Sequence, residues 1–236
     1  MKITLLTGKI YDIKDELGFD IKVVPSRSFY RLVLRIDRKE RIPVLSVPRF
    51  CSRRKAVNFV NEHLGWIMTE LAKIPKMKKF ENGDKFLLFG QKVEISHQEK
   101  ARCGVILEGD KLVVSGGAEF LHRRIKDYIK REAQKRFYEQ SQNLAQRIGK
   151  KLIGVSIKDT KSRWGSCSSL NHINYNWRIA LAPCEVIDYL LAHEVAHLAH
   201  QDHSKSFWDC VNFLNSDWKT GHDWLKKHGK SLYYFE

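Results

Sequence analysis

Polar and apolar residues alternate from Arg31 to Ile36 (Arg-Leu-Val-Leu-Arg-Ile), which predicts a half-buried strand. Val44-Leu45-Ser46-Val47-Pro48 reads as a short partner strand. The period then changes. Val57, Val60, Leu64, Ile67, Met68 and Leu71 recur at helical spacing after Ser52, a good N-cap residue, and Pro75 stops the run. Two pairs of short apolar runs follow. Phe86–Phe89 and Val93–Ile95 are joined through Gly90-Gln91-Lys92, and Val105–Leu107 and Leu112–Val114 flank Gly109-Asp110; both read as hairpins.

From Phe120 the pattern becomes that of a long amphipathic helix, marked by Leu121, Ile125, Tyr128, Ile129, Ala133, Phe137, Leu144 and Ile148 and ending near Gly149. Leu152–Ile157 then predicts a strand, Lys161–Ser169 a polar loop, and Ile173–Ile179 a second alternating strand. Pro183 suits the start of a helix over Cys184–His200, with Glu185 at its positive dipole end. Phe207, Trp208, Val211 and Leu214 are spaced as the buried face of one more helix. Trp218, Trp224 and Tyr233-Tyr234-Phe235 follow no period. The reading is an α+β chain: a β-rich domain with one helix over 1–118, then a second domain over 119–236, divided near Gly116-Gly117.

Composition narrows the class. A chain of 236 residues with 43% hydrophobic and 29% charged residues is that of an ordinary globular protein. Its apolar stretches fall short of the roughly 20 residues a bilayer span needs. Met1–Gly8 has one positive charge and too short an apolar run for a signal peptide. The five cysteines are odd in number, far apart and without a Cys-x-x-Cys pair, which fits a reducing, cytoplasmic setting. The net charge of +15 favours polyanionic partners. Residues 121–151 carry ten Lys/Arg against three Asp/Glu, so the basic helix is a candidate surface for nucleic acid or another polyanion, or simply a solvated face.

The chemistry concentrates in His193-Glu194-Val195-Ala196-His197. Residues four apart on a helix share one face, so two imidazoles can grip one zinc ion at roughly 2.0–2.1 Å each. Glu194 projects beside that ion and can take a proton from water. A catalytic zinc usually has three protein ligands and one open position. His203, past the helix end, is the favoured third ligand; His200 is the rival, but three ligands along one straight helix span too far to close a tetrahedron. His172 and His222 are weaker candidates.

These residues, with Lys161–Ser169, Ile173–Arg178, Ala182-Pro183 and His203-Ser204-x-x-Phe207-Trp208, resemble the YgjP-like metallopeptidase family, related to the SprT and WLM groups of zincins. The likeness is strongest across 150–215. It implies a zincin-like catalytic domain with His193, His197 and His203 on zinc and Glu194 as general base. Asp202 stands where the family often has Asn, a change tolerated if it only shapes the turn. No methionine follows Met77, so the methionine turn of metzincins is missing. Zincins also bind substrate backbone along a strand flanking the metal, which points to the strand over Ile173–Arg178. Arg163 and Tyr175 are candidates for holding substrate or a developing oxyanion, as are His172 and His200. The expected activity is hydrolysis of peptide bonds in peptide or protein substrates. Hydrolysis of nucleotide phosphates and a nucleic-acid-associated protease or binding module are the alternatives, although no phosphate-binding glycine loop is present.

Overall fold

A computed structural model of the chain describes residues 3–4, 10–11, 17–26, 30–37, 40–72 and 78–236. The expectation for Met1–Gly8 and the helix-stopping role of Pro75 lie mostly outside them. Two compact units are present, Met1–Pro75 and Lys76–Glu236.

In the first unit β1 (Ile3–Thr4) pairs antiparallel with β2 (Ile10–Tyr11). A three-stranded sheet is made of β3 (Lys22–Pro25), β4 (Val33–Asp37) and β5 (Ile42–Val47), with β5 central. The alternation seen in sequence puts Val23, Leu45 and Val47 on one face, where they pack with Ala56, Val60 and Ile67. Those last three come from two helices, α1 (Arg53–Glu62) and α2 (Leu64–Ala72), rather than one. Ser52 caps α1 by accepting from the Lys55 amide. His63 ends it: its Nδ1 lies 2.8 Å from the Phe59 carbonyl, satisfying a last-turn acceptor.

The second unit begins with the sheet β6 (Lys85–Leu88), β7 (Gln91–Gln98), β8 (Val105–Glu108) and β9 (Lys111–Ser115), ordered β6-β7-β9-β8. Phe89 and Gly90, both at positive φ, make the tight turn of the first hairpin. The long helix α3 (Leu121–Arg147) buries Leu121, Ile125, Ile129, Ala133 and Phe137. A second sheet holds β10 (Gly154–Lys158), β11 (Gly165–Cys167) and β12 (His172–Asn176), ordered β10-β12-β11. After a 3-10 turn over Trp177–Leu181 come α4 (Cys184–Ala196), α5 (Lys205–Leu214) and α6 (Trp218–His228).

The expected division at 118/119 falls inside this second unit. Phe80, Leu88, Val93, Ile95, Leu112 and Val114, all N-terminal to it, share one core with α3, the second sheet and α4. Three smaller differences have local causes. The polar loop over Lys161–Ser169 contains β11, which has no apolar alternation to reveal it because it is held by pairing with β12. The strand expected to reach Ile179 stops at Asn176, whose side chain accepts from the Arg178 amide and turns the chain. The irregular tail is core: Phe235 stacks on Phe80 with ring centres 4.1 Å apart. Among the described residues no helix is long and apolar enough to cross a membrane, and no disulfide joins the cysteines.

Candidate metal centre

The helix α4 is buried on nearly every side, so its polar residues stand out against an apolar wall. Gly221 on α6 lets the two helices approach closely: a Cβ there would lie 2.5 Å from the Tyr189 Cβ and would press on the Glu185 carbonyl. His193 and Glu194 lie in the last turn of α4, and His197 is its C-cap. The helix therefore ends at the motif rather than at His200. The His197 Nδ1–H donates to the His200 carbonyl at 2.9 Å, which closes the turn and leaves Nε2 pointing away. Asp202 then accepts from the Ser204 amide, and this turn swings His203 back over the helix end.

The three rings converge. One ring nitrogen from each of His193, His197 and His203 lies within 4.8 Å of the other two. The Nε2 atoms of His193 and His203 are 3.4 Å apart. Two nitrogens bound to one tetrahedral zinc at roughly 2.05 Å would be separated by about 3.3 Å, so this pair already stands at a ligand–ligand edge. The buried ring of Phe207 supports all three, at 5.0 Å from His193, 4.5 Å from His197 and 4.7 Å from His203. The His193 Nδ1 faces the Tyr189 hydroxyl oxygen at 3.4 Å. Burial and the neighbouring imidazoles push His193 down to about 3, and burial lowers His197 as well, so both rings are neutral with lone pairs available.

Glu194 is only 5% exposed. Burial pushes its carboxyl up to about 8, and the positive charge of Arg163 opposes this. Its side chain lies on the backbone of β11: a Cβ at Gly165 would meet Glu194 Cγ and Cδ at 2.6 Å. The space its missing side chain leaves is filled by the carboxyl. Cys167, next but one along β11, is pushed up to about 11 by burial and by Glu194, so it stays a thiol.

The other expected site residues divide. Arg163 is exposed, and its charge reaches Glu194. Tyr175 is 1% exposed, with its hydroxyl 3.0 Å from the Ser141 hydroxyl of α3. It is a core residue, with its hydroxyl taken up by that contact. His172 sits in β12 with Nε2 3.4 Å from the Ser156 hydroxyl, outside the triad. His200 contributes its carbonyl rather than its ring. His222 packs on Tyr189 with ring centres 5.6 Å apart and takes the Asp223 carboxylate at 2.9 Å. The strand expected to carry substrate, β12, is central in its sheet and paired on both sides, so its edges are occupied. Beside Glu194, the edge strand is β11.

The family profile of the YgjP-like metallopeptidase domain matches residues 30–228. The chain belongs to this family. Its members' domain is a metallopeptidase, so a metal-dependent hydrolase acting on peptide or protein is the general class of this YgjP-like protein. Among solved structures, the crystal structure of the metallopeptidase zymogen of Pyrococcus abyssi abylysin is similar at 24% identity, over 40% of this chain and 94% of that one, with a TM-score of 0.34. Among curated proteins none matches.

Proposed function

We propose that this YgjP-like protein is a zinc-dependent peptidase of the zincin type, working in the cytoplasm, with His193, His197 and His203 as the metal ligands and Glu194 as the general base. The observation that carries this is the convergence of three imidazoles, two of them at a ligand–ligand spacing of 3.4 Å. A donor set of three imidazoles suits zinc, whereas magnesium-dependent phosphoryl transfer favours carboxylates. That chemistry supports peptides over nucleotide phosphates as substrate.

Zinc held there would supply Lewis-acid chemistry, acidifying a water and polarising a carbonyl. The remaining steps belong to the chain. Glu194 takes the proton of the attacking water on its carboxylate and delivers it to the leaving amine. Its raised proton affinity makes it a competent base, and the neighbouring cation would draw it back to the ionised form. The backbone of β11 receives the substrate as an added strand, and Arg163 at its entrance holds developing negative charge. Burial of Glu194 against Gly165 keeps bulk water from competing for the proton.

Metal content and peptide hydrolysis of the wild type, Glu194→Gln and His203→Ala test this reading. Glu194→Gln should keep about one zinc per chain and lose roughly 10²–10⁴ in turnover. His203→Ala should lose metal affinity. Full activity in Glu194→Gln would refute the assignment. Phosphate released from nucleoside triphosphates by the wild type, without peptide cleavage, would refute the substrate class.

A further inference from the structure

The chain enters the edge strand β11 through a loop over residues 159–164. Asp159, Lys161, Ser162 and Arg163 in it are exposed, and only Thr160 and Trp164 are half-buried. A segment with so few buried side chains has little local stability of its own. Yet it carries Arg163, whose charge reaches Glu194, and it ends one residue before Gly165, on which the Glu194 carboxyl lies. The contacts that fix this loop therefore decide where a charged group stands in the site. On one side they come from β12. The Asn176 side chain donates to the Thr160 carbonyl at 2.7 Å, and its amide donates to the Trp164 carbonyl at 2.7 Å.

On the other side they come from the end of the chain. After α6 a 3-10 turn over Gly229–Tyr234 brings Tyr233 onto both half-buried residues of the loop. Its ring centre is 5.0 Å from that of Trp164, and its hydroxyl donates to the Thr160 carbonyl at 3.1 Å. The Thr160 hydroxyl in turn donates to the Arg163 carbonyl at 2.6 Å. A continuous line of contacts thus runs from Tyr233 through Thr160 to Arg163. Arg178, only 4% exposed, joins the same two parts by donating to the Asp159 carboxylate and the Phe235 carbonyl. The segment is anchored without the loop: Phe235 stacks on Phe80, and Lys78 bonds the backbone of Tyr234 and Glu236. It is the fixed partner, and the loop is what it holds.

We propose that Tyr233 is a positioning residue of the active site: through Thr160, its hydroxyl and ring set where Arg163 stands beside Glu194. The catalytic consequence rests on the peptidase reading above, in which Arg163 meets developing charge; the clamp itself does not. Small displacements of such a group are costly in rate, because its interaction with the transition state depends on where it is held. Tyr233 would then act on turnover only by way of Arg163, and not on the metal.

Two measurements on the full-length, zinc-loaded protein test it. Trypsin cleavage after Lys161 and Arg163 reads the loop without any turnover. Tyr233→Phe, which loses the hydrogen bond alone, should speed that cleavage about fivefold, and Tyr233→Ala, which also loses the ring contact, should speed it further. Hydrolysis of labelled unfolded casein reads the site. Tyr233→Ala should lower kcat by a factor no larger than Arg163→Ala does, about tenfold, with KM little changed. In the Arg163→Ala background Tyr233→Ala should have no further effect on kcat, whereas a loss of general stability would add to it. Tyr234→Ala, whose side chain meets Lys78 and Phe235 rather than the loop, should change neither measurement. Zinc content and melting curves report that each variant is folded, and Tyr233→Phe keeps the test open if Tyr233→Ala is not. The proposal is overturned by trypsin rates in the Tyr233 variants equal to the wild type's, by additive effects of Tyr233→Ala and Arg163→Ala on kcat, or by Tyr234→Ala matching Tyr233→Ala. Wild-type protein that holds zinc and cleaves no casein would refute the peptidase instead, and the trypsin rates would still decide the clamp.

Discussion

Burial, more than any neighbouring charge, sets the protonation of Glu194, and this gives the site a pH signature that needs no substrate. In the metal-free protein its carboxyl titrates near 8 instead of 4.5. The folded state then holds a proton that the unfolded chain has released, so this group's contribution to stability is full below about pH 4.5 and is lost as pH rises through 8. His193 runs the other way. Its folded value near 3, against 6.5, gives a contribution that is present above 6.5 and lost as pH falls through 3. Between 6.5 and 8 only Glu194, of these two, has a slope. Denaturant midpoints of the metal-free wild type should fall across that interval, and those of Glu194→Gln should not. A level wild-type curve there would show that the carboxyl is solvated. At the same scale, Arg163→Ala should lower kcat/KM by about tenfold or more while zinc is retained, the mark of a group that meets charge developing in the reaction.

At the scale of elements, the site depends on two glycines whose roles were illegible in sequence. The histidines could be read because their chemistry lies in a local spacing, four residues along one helix. Gly165 and Gly221 act against residues 29 and 32 to 36 positions away, and no local pattern records that. Gly165→Ala should push the Glu194 carboxyl off β11. Zinc binding should persist while turnover falls by a factor comparable to Glu194→Gln, as equilibrium metal titration beside peptide hydrolysis would show. Gly221→Ala should force α6 away from α4, costing roughly 1–3 kcal/mol by denaturant unfolding. It should also loosen metal binding, because Tyr189, the outer partner of His193, is the side chain displaced; groups in that position commonly change metal affinity 10–100-fold. If Gly221→Ala lowers stability with zinc affinity untouched, Tyr189 does not hold the ligand. The same locality explains β11 and β12. An edge strand of Gly-Ser-Cys has no apolar alternation, and a central strand buried on one face resembles an edge strand until its partners are known.

For the whole molecule, the boundary between units is the clearest case of a pattern changing where the fold does not. The period of the sequence switches at Phe120 because a helix begins there, yet the strands before it and the helix after it enclose one set of buried side chains. Leu88, Ile95, Leu112 and Val114 lie against the same core as Ile125, Ile129 and Phe137. A strand-to-helix switch marks a domain boundary only when the two sides bury separate cores, and that depends on pairings many residues apart. The backbone adds to this: Lys78 donates its amide to the Tyr234 carbonyl and accepts from the Glu236 amide, so an isolated bridge near the start of the second unit ties down its last residues. A fragment starting at Lys76 should therefore unfold cooperatively and bind zinc with the affinity of the full chain. A fragment starting at Glu119 should lack four strands of its own core, along with the partner of its C-terminal segment, and should show no cooperative transition in circular dichroism. A cooperative, zinc-binding 119–236 fragment would place the boundary back at the change of period. Loss of zinc binding from 76–236 would mean instead that the first unit is needed to hold the three histidines in place.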